Sequence, residues 1–387
     1  MKWFAIIAAL VGIRFLSFLY CKQLSAVLEN NVAISTPLTS YQYLLEGSFY
    51  YSRNLEIYNG GIYHQSPISL YVMNLLDATG YIDLLSYMLW ITLDVVSASA
   101  LASMDDFRPL TAVIYLANPF TIASSSARST LIFTSTAILM SLATAKRRRA
   151  VSAMTFLAVA THFSLYPAAS LPPVMYMSVG SRLSSYSFAK TFFVFVAATS
   201  TCMALSYAIA GSWHFLKFYK VSSLFQELKP NIGIWWYFFV EMFDFFMPFF
   251  SSVFNLHVFI YSLPSTIRLR HDPLFAAVTV LGLHAMFKPY PSIGDISLYS
   301  SSSPSYSRIY TQLKYAWVAS SASAYASILT PTFYHSWIVL GSGNANFFYA
   351  ITSTYVIAMT TIISDTLWAV LRLQFDDGAS SKQVIQT

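Results

Sequence analysis

Charge is what this sequence has least of. Only 10% of its 387 residues are Asp, Glu, Lys or Arg, against about a quarter in soluble domains. With 56% hydrophobic residues and a mean hydropathy of +0.55, that scarcity excludes an ordinary soluble protein. No polar stretch is long enough to build a core of its own, so no separate soluble domain is expected. Cysteine is nearly absent: Cys21 and Cys202 are the two, both read as lying in apolar helices. A disulfide framework or zinc site is thereby excluded. With no histidine near either thiol, both read as packing residues rather than nucleophiles. The alternation of a membrane barrel is missing. No Ser-His-Asp, Cys-His or Asp-x-Asp arrangement is present, and no histidines have metal-ligand spacing. We therefore expect no catalytic residue, metal or cofactor in this chain. The net charge of +6 sits in short loops, where it sets topology rather than marking a nucleic-acid surface.

What the chain does have is a succession of apolar runs near twenty residues, each able to span a bilayer as a helix. The expected fold is an all-α integral membrane protein, a single polytopic unit over 1–387 with about twelve spans. They are placed at 3–21, 81–102, 110–125, 129–145, 150–165, 168–180, 188–210, 235–263, 274–287, 293–306, 314–334 and 347–371. The first reads as an uncleaved signal anchor, since it lacks a small-x-small cleavage site. Lys146 to Arg149 form the strongest basic cluster and should face the cytosol. Lys2, Arg108, Arg182, Lys190, Arg268, Arg270, His271, Arg308, Lys314, Arg372 and the tail 372–387 fall on the same side. Lys217, Lys220 and Lys229 violate the pattern modestly. Both termini are then cytosolic, and every conspicuous polar motif lands on the opposite, lumenal face.

The longest lumenal loop is 22–80. Gln23 to Asn31 reads as an amphipathic helix on the membrane, Asn59-Gly60-Gly61 as a turn, and 68–76 as a short apolar helix. A multi-helix frame with such a first loop is the general plan of the GT-C class of lipid-linked sugar transferases, by fold-level analogy alone. Glu46 would be the acid of such an enzyme, and by itself it is a poor base. Asp94, inside the second span, should bond within the bundle. Asn118-Pro119 should kink the third. Asp105-Asp106 reads as a solvated cytosolic loop.

Three motifs carry candidate chemistry. In the aromatic run Ile234 to Phe250, Glu241 and Asp244 are three apart, hence on one helix face with Tyr237. They would lie roughly 10–15 Å into a segment, where ionisable groups face a partner or a cavity. A structural tie, acid/base work and the wall of a lipid-headgroup cavity all fit, with the flanking Trp235 and Trp236 suited to the membrane interface. Lys288-Pro-Tyr-Pro-Ser-Ile-Gly-Asp295 is a proline-rigid turn across which Lys288 and Asp295 could pair. It reads either as a connector or as a docking loop whose Lys288 meets a phosphate. In Gly341-Ser-Gly-Asn-Ala-Asn346, Asn344 and Asn346 would point the same way in extended backbone. Their amides suit sugar hydroxyls and phosphoesters, unless Asn344 merely caps the last span. The piece is no P-loop, because the Gly-Lys-Ser/Thr ending is missing. Among lumenal histidines, His64 and His335 stand out, with His214 a third.

With these residues in view, the chain resembles the PIG-U family, the multi-span subunit of the GPI transamidase of the endoplasmic reticulum, in its fungal form. The resemblance is carried by Ser35 to Ser40 with Glu46-Gly47, Tyr63-His64 with Pro67, Leu116 to Thr121, Gly233 to Phe250, Lys288 to Asp295 and Phe333 to Ala350. It implies a non-catalytic subunit of the complex that joins a protein C-terminus to the ethanolamine amine of a GPI glycolipid. The nucleophile would belong to a caspase-like PIG-K partner, and PIG-T-like, PIG-S-like and GPAA-type subunits would complete the assembly. Asn344 and Asn346 become the leading headgroup contacts, with His335 nearby. Glu241, Asp244, Trp235, Trp236, Lys288, Tyr290 and Asp295 complete the implied set. A dolichol-linked sugar transferase and a pure scaffold without lipid contact remain the rival readings.

Overall fold

Helix starts follow a repeated piece of local chemistry in this chain. A small polar residue takes extended or non-helical backbone, accepts the next free amide, and is followed by proline, whose missing N–H costs nothing in the first turn. Ser66 caps Pro67–Asp77 in this way, Asn118 caps Pro119–Ser126 and Asp272 caps Pro273–Phe287. In the computed structural model, which describes residues 2–105, 108–180, 184–302 and 309–378, all regular elements among the described residues are helical.

These caps and breaks divide the apolar runs more finely than hydropathy suggests. The expected span 110–125 is two helices, Arg108–Ala117 and Pro119–Ser126, broken where the Asn118-Pro119 kink was expected. The expected span 235–263 is three: Trp235–Glu241, Met247–Ile260 and Ser262–Arg268. Three helices, Ile82–Met104, Ser185–Ala210 and the last one from Ala345, are long and apolar enough to cross a bilayer alone. They become four if Ala5–Tyr20 and Lys22–Glu29, bent by 91°, count as one. Helix length alone therefore does not support about twelve spans; Leu131–Lys146, Ala150–Phe163 and Pro273–Phe287 are apolar but shorter.

The first loop holds helices Lys22–Glu29, Tyr41–Ser52 and Pro67–Asp77. Cys21 is not inside a helix as expected: it sits exposed at the bend after Tyr20. Cys202 is buried in Ser185–Ala210. Asp105 is likewise not solvated. It is buried and accepts a hydrogen bond from Thr111 Oγ1. Asp106, Arg182, Arg308 and residues 379–387 of the tail lie outside the described residues, as does part of the expected span 293–306, whose described portion is the buried helix Ile293–Ser302.

Two ionic centres, one buried and one with its Asp83 exposed, tie the N-terminal half together. Asp94 does bond within the bundle: Arg14 pairs with it and also donates to Leu116 O at 2.8 Å, while Tyr115 Oη donates to Asp94 Oδ1 at 3.1 Å. Arg128 bridges Glu29 at 2.8 Å and Asp83 at 2.9 Å. Its guanidinium lies 3.8 Å from the centre of the Tyr41 ring and 4.7 Å from that of Tyr87. Such stacking suits the planar, weakly hydrated guanidinium. It fastens Lys22–Glu29 to the bundle.

Candidate functional site

The most conspicuous sequence motif is a chain reversal between two long helices. Ala316–Tyr334 carries Pro331 inside it and runs into one π-helical turn, His335–Val339. π turns in a helix are rare and concentrate at functional sites. Leu340 N donates to His335 O at 2.9 Å, five residues back. Gly341 then takes φ +63, a left-handed conformation in which a side chain would be strained. Ser342 and Gly343 both donate their amides to Ser336 O, at 3.0 and 3.1 Å. Asn344 accepts the amide of Phe347 at 3.2 Å through Oδ1 and so caps Ala345–Gly378. Capping and ligand contact are not exclusive, because the amide nitrogen of Asn344 stays at an exposed position.

Against this reversal packs the short helix Trp235–Glu241. Tyr237 Oη donates to Asn346 Oδ1 at 2.6 Å, and the Tyr237 ring stacks on Tyr349 with centroids 4.4 Å apart. Trp236 is fully buried, with Trp337 at 5.7 Å, Phe348 at 5.3 Å and Tyr349 at 5.9 Å. Its Nε1 is buried without an acceptor among the described residues. Trp235 faces the other way: Nε1 donates to Phe287 O at 2.7 Å and the ring stacks on Phe254 at 4.1 Å. The structure thus joins Asn344, Asn346 and Trp236, with an exposed His335 on the adjoining turn, and leaves Trp235 as internal packing. Tyr237 is the member whose role sequence reasoning missed. It lies 109 positions from Asn346, and no local signal links them.

Glu241 and Asp244 do not share a helix face. The helix ends at Glu241, Met242 is extended with ψ 141, and Asp244 lies in the turn that follows. Both carboxylates are exposed. The break also leaves Phe243 and Phe245 exposed.

The Lys288 to Asp295 turn forms a second, separate group. Lys288 Nζ meets Asp295 Oδ2 at 2.5 Å, and both side chains are buried. Asp295 Oδ2 also accepts the Ser292 amide at 2.8 Å, closing the first turn of Ile293–Ser302. Tyr290 Oη donates to Glu227 O at 2.7 Å. Burial pushes its phenol up, so it stays a donor at neutral pH. Phe225 lies between Tyr290 and Phe239, 4.7 Å from each. Lys288 and Tyr290 line a cavity of about 40 Å³ shared with His64, Gln65 and Tyr219, room for a water. Glu227, unnoticed in the sequence, closes on His64 Nε2 at 3.0 Å. Lys288 and Asp295 are thus paired with each other, and Tyr290 with Glu227, inside the fold. Lys288→Met is expected to cost about 3 kcal/mol, because Asp295 keeps the Ser292 amide but loses the charge that neutralises it in a buried site. Thermal unfolding in detergent measures it, and an unchanged midpoint would show the pair to be idle.

Among the described residues, no three His, Cys, Asp or Glu side chains converge as a metal site would require. What the reversal offers is amide and imidazole groups at an exposed edge, backed by buried aromatics.

Comparison with known proteins bears on the family of the whole chain. The family model described as GPI transamidase subunit PIG-U matches residues 8–355. The chain is similar to the GPI transamidase component GAB1 of Saccharomyces cerevisiae, 34% identical over 360 residues, covering 91% of this chain and 90% of that protein. It is 29% identical over 415 residues to the GPI-anchor transamidase component PIGU of Homo sapiens, covering 96% and 94%. It is 32% identical over 358 residues to the GAB1 homolog of Schizosaccharomyces pombe, covering 89% and 88%.

Proposed function

The chain belongs to the PIG-U family of GPI transamidase subunits, and from that premise we propose that it binds the GPI glycolipid and positions it for the reaction while scaffolding the complex. It is a component of the transamidase and not its catalytic subunit. The observation that carries the lipid-binding reading is the exposed edge at Asn344 and Asn346, set on a buried aromatic wall at Trp236. A glycolipid needs an apolar bed for its chains and hydrogen-bonding groups at glycan level. Amides supply the latter without the desolvation cost of a charge. His335, Glu241 and Asp244 are exposed as well.

In this reading the chain crosses the endoplasmic reticulum membrane several times as one polytopic unit, shorter helices completing spans in pairs. The termini face the cytosol, and the 335–346 reversal and the 22–80 loop face the lumen, with Lys22–Glu29 on the membrane surface. A caspase-fold partner of the PIG-K type carries the nucleophile, with PIG-T-like, PIG-S-like and GPAA-type subunits around it. Holding the glycolipid amine near the acyl-enzyme supplies proximity, which is worth several kcal/mol in an acyl transfer.

The double variant Asn344→Ala plus Asn346→Ala tests this. The complex should assemble with all its subunits and retain several-fold less GPI on purification, measured by mass spectrometry of extracted lipid. Loss of assembly would make the asparagines structural. Intact assembly with undiminished GPI would leave a pure scaffold.

A further inference from the structure

The turn between Leu131–Lys146 and Ala150–Phe163 holds consecutive basic residues, Lys146 to Arg149, all exposed. Its backbone is fixed and strained. Arg149 N donates to Thr144 O at 2.9 Å and Arg148 N to Ala145 O at 2.8 Å, the paired bonds that close a helix C-terminus through a left-handed residue. Glycine is usual at that residue; here it is Arg148, at φ +57, where a side chain is strained. Lys146 and Arg148 turn inward, each onto the end of another helix. Lys146 Nζ donates to the carbonyl of Met104, the last residue of Ile82–Met104. The Arg148 guanidinium lies against Gly180, which follows Leu171–Val179: a Cβ there would fall 2.7 Å from Arg148 Cζ. Arg147 and Arg149 remain. Neither of them, nor Lys190, is joined to a carboxylate among the described residues. The tip also has an apolar flank. Ser185–Ala210 begins shortly after Gly180 and packs along Ala150–Phe163. Its Tyr186, Lys190 and Phe193 are spaced so as to share one helix face, and all of them are exposed. Val151, in the first turn beyond Arg149, is exposed too.

We propose that this tip binds an anionic phospholipid of the surrounding bilayer, its phosphate held by Arg147 and Arg149 and its chains laid along the exposed face of Tyr186 and Phe193, with Lys190 adding charge beside them. Setting topology requires basic residues in the loop; it requires neither a strained turn nor side chains pinned to neighbouring helices. Those contacts of Lys146 and Arg148 seat the turn and leave the other two arginines pointing away from it. A guanidinium offers a rigid fork that matches a phosphate, and basic residues at the end of a span attract anionic lipid. The apolar flank argues for a lipid over the acidic face of a soluble protein, which would meet the charge alone. The proposal rests on the reading that these helices lie in a membrane and is independent of the contact at the asparagines.

The test adds phosphatidylserine or phosphatidylcholine to the delipidated complex in mild detergent and follows bound lipid by native mass spectrometry. Arg147→Gln with Arg149→Gln should weaken phosphatidylserine binding about 25-fold, some fivefold for each basic residue removed from beside an anionic headgroup, and leave phosphatidylcholine unchanged. In the native complex, raising the ionic strength about tenfold should weaken phosphatidylserine several-fold by screening, a measurement that needs no variant to fold. Inorganic phosphate should displace little of it, since it lacks the chains. Unchanged phosphatidylserine in the double variant, or binding insensitive to salt in the native complex, would leave the arginines as topology signals and overturn the site. Equal loss of both lipids would overturn recognition of the anionic headgroup. Displacement by inorganic phosphate would make the tip a free-anion site and overturn the lipid. Loss of a subunit from the double variant, with phosphatidylserine still bound to the remainder, would assign the tip to a protein partner and overturn it as well. Measurements in detergent carry no sidedness, so failure here leaves the proposed orientation of the chain in the membrane untouched.

Discussion

Arg14→Leu is expected to lower the stability of the N-terminal half by about 3–5 kcal/mol, the cost of leaving a buried charge without its partner. Arg14 is 6% exposed and Asp94 1%. Each is held by more than the pair: Arg14 by the Leu116 carbonyl, Asp94 by the Tyr115 hydroxyl. Those remaining bonds orient the groups and do not neutralise the carboxylate. Leucine at position 14 fills the apolar space, so packing loss is minor and the charge term decides. The paired variant Arg14→Leu with Asp94→Leu removes both charges, and such replacements are often close to neutral. It should recover most of the loss. Unfolding in detergent, followed by the temperature at which intact protein disappears, reads both. A single variant as stable as the native chain would show that the pair contributes nothing. A double variant no better than the single would show that the loss was one of packing.

This pair also shows what the sequence made legible. An aspartate in an apolar helix had to find a partner, and that much follows from Asp94 alone. Arg14 as the partner did not follow, because 80 positions separate them and a bundle can be wired in many ways. The Asn118-Pro119 break was legible, since a cap followed by proline is a local signal read without knowledge of the fold. The Lys288–Asp295 pair was legible too, both ends belonging to one turn. The break after Glu241 was not. Met242 to Phe246 contain neither glycine nor proline, and a hydrophobic run continues smoothly through a turn made by tertiary packing. That hid the true relation of Glu241 and Asp244. The Gly341 to Asn346 motif was visible as a local pattern, whereas the Tyr237 contact to Asn346 needs the two distant segments side by side.

Gly47→Val is expected to destabilise the first loop by about 3 kcal/mol and Gly47→Ala by about 1 kcal/mol. The smaller figure is a difference of two effects. Gly47 lies within Tyr41–Ser52, where alanine in place of glycine ordinarily gains about 1 kcal/mol in helix propensity. Here a Cβ would fall 2.5 Å from Cδ2 of Tyr63 and 2.8 Å from its Cε2 and Cγ, and overpacking of that kind typically costs about 1–3 kcal/mol. The clash wins because the ring cannot retreat. Tyr63 is 1% exposed, its hydroxyl donates to Ser66 O at 2.8 Å, and Tyr58 packs beside it at 5.5 Å. Valine adds two methyl groups and forfeits the helix gain. Displacing Tyr63 would carry Gln65 with it, whose Nε2 donates to Ser40 O at 2.7 Å, and so would loosen the start of Pro67–Asp77 from the start of Tyr41–Ser52. Two motifs that look unrelated in the sequence, Glu46-Gly47 and Tyr63-His64, are thus one contact: the glycine is absent of side chain where the tyrosine lies down. Shrinking the ring should relieve the strain. Gly47→Val combined with Tyr63→Leu is expected to unfold closer to Tyr63→Leu alone than to Gly47→Val alone, a coupling of the sign that contacting residues show. Strictly additive losses would mean that the two side chains yield to each other freely, and the glycine would then be dispensable.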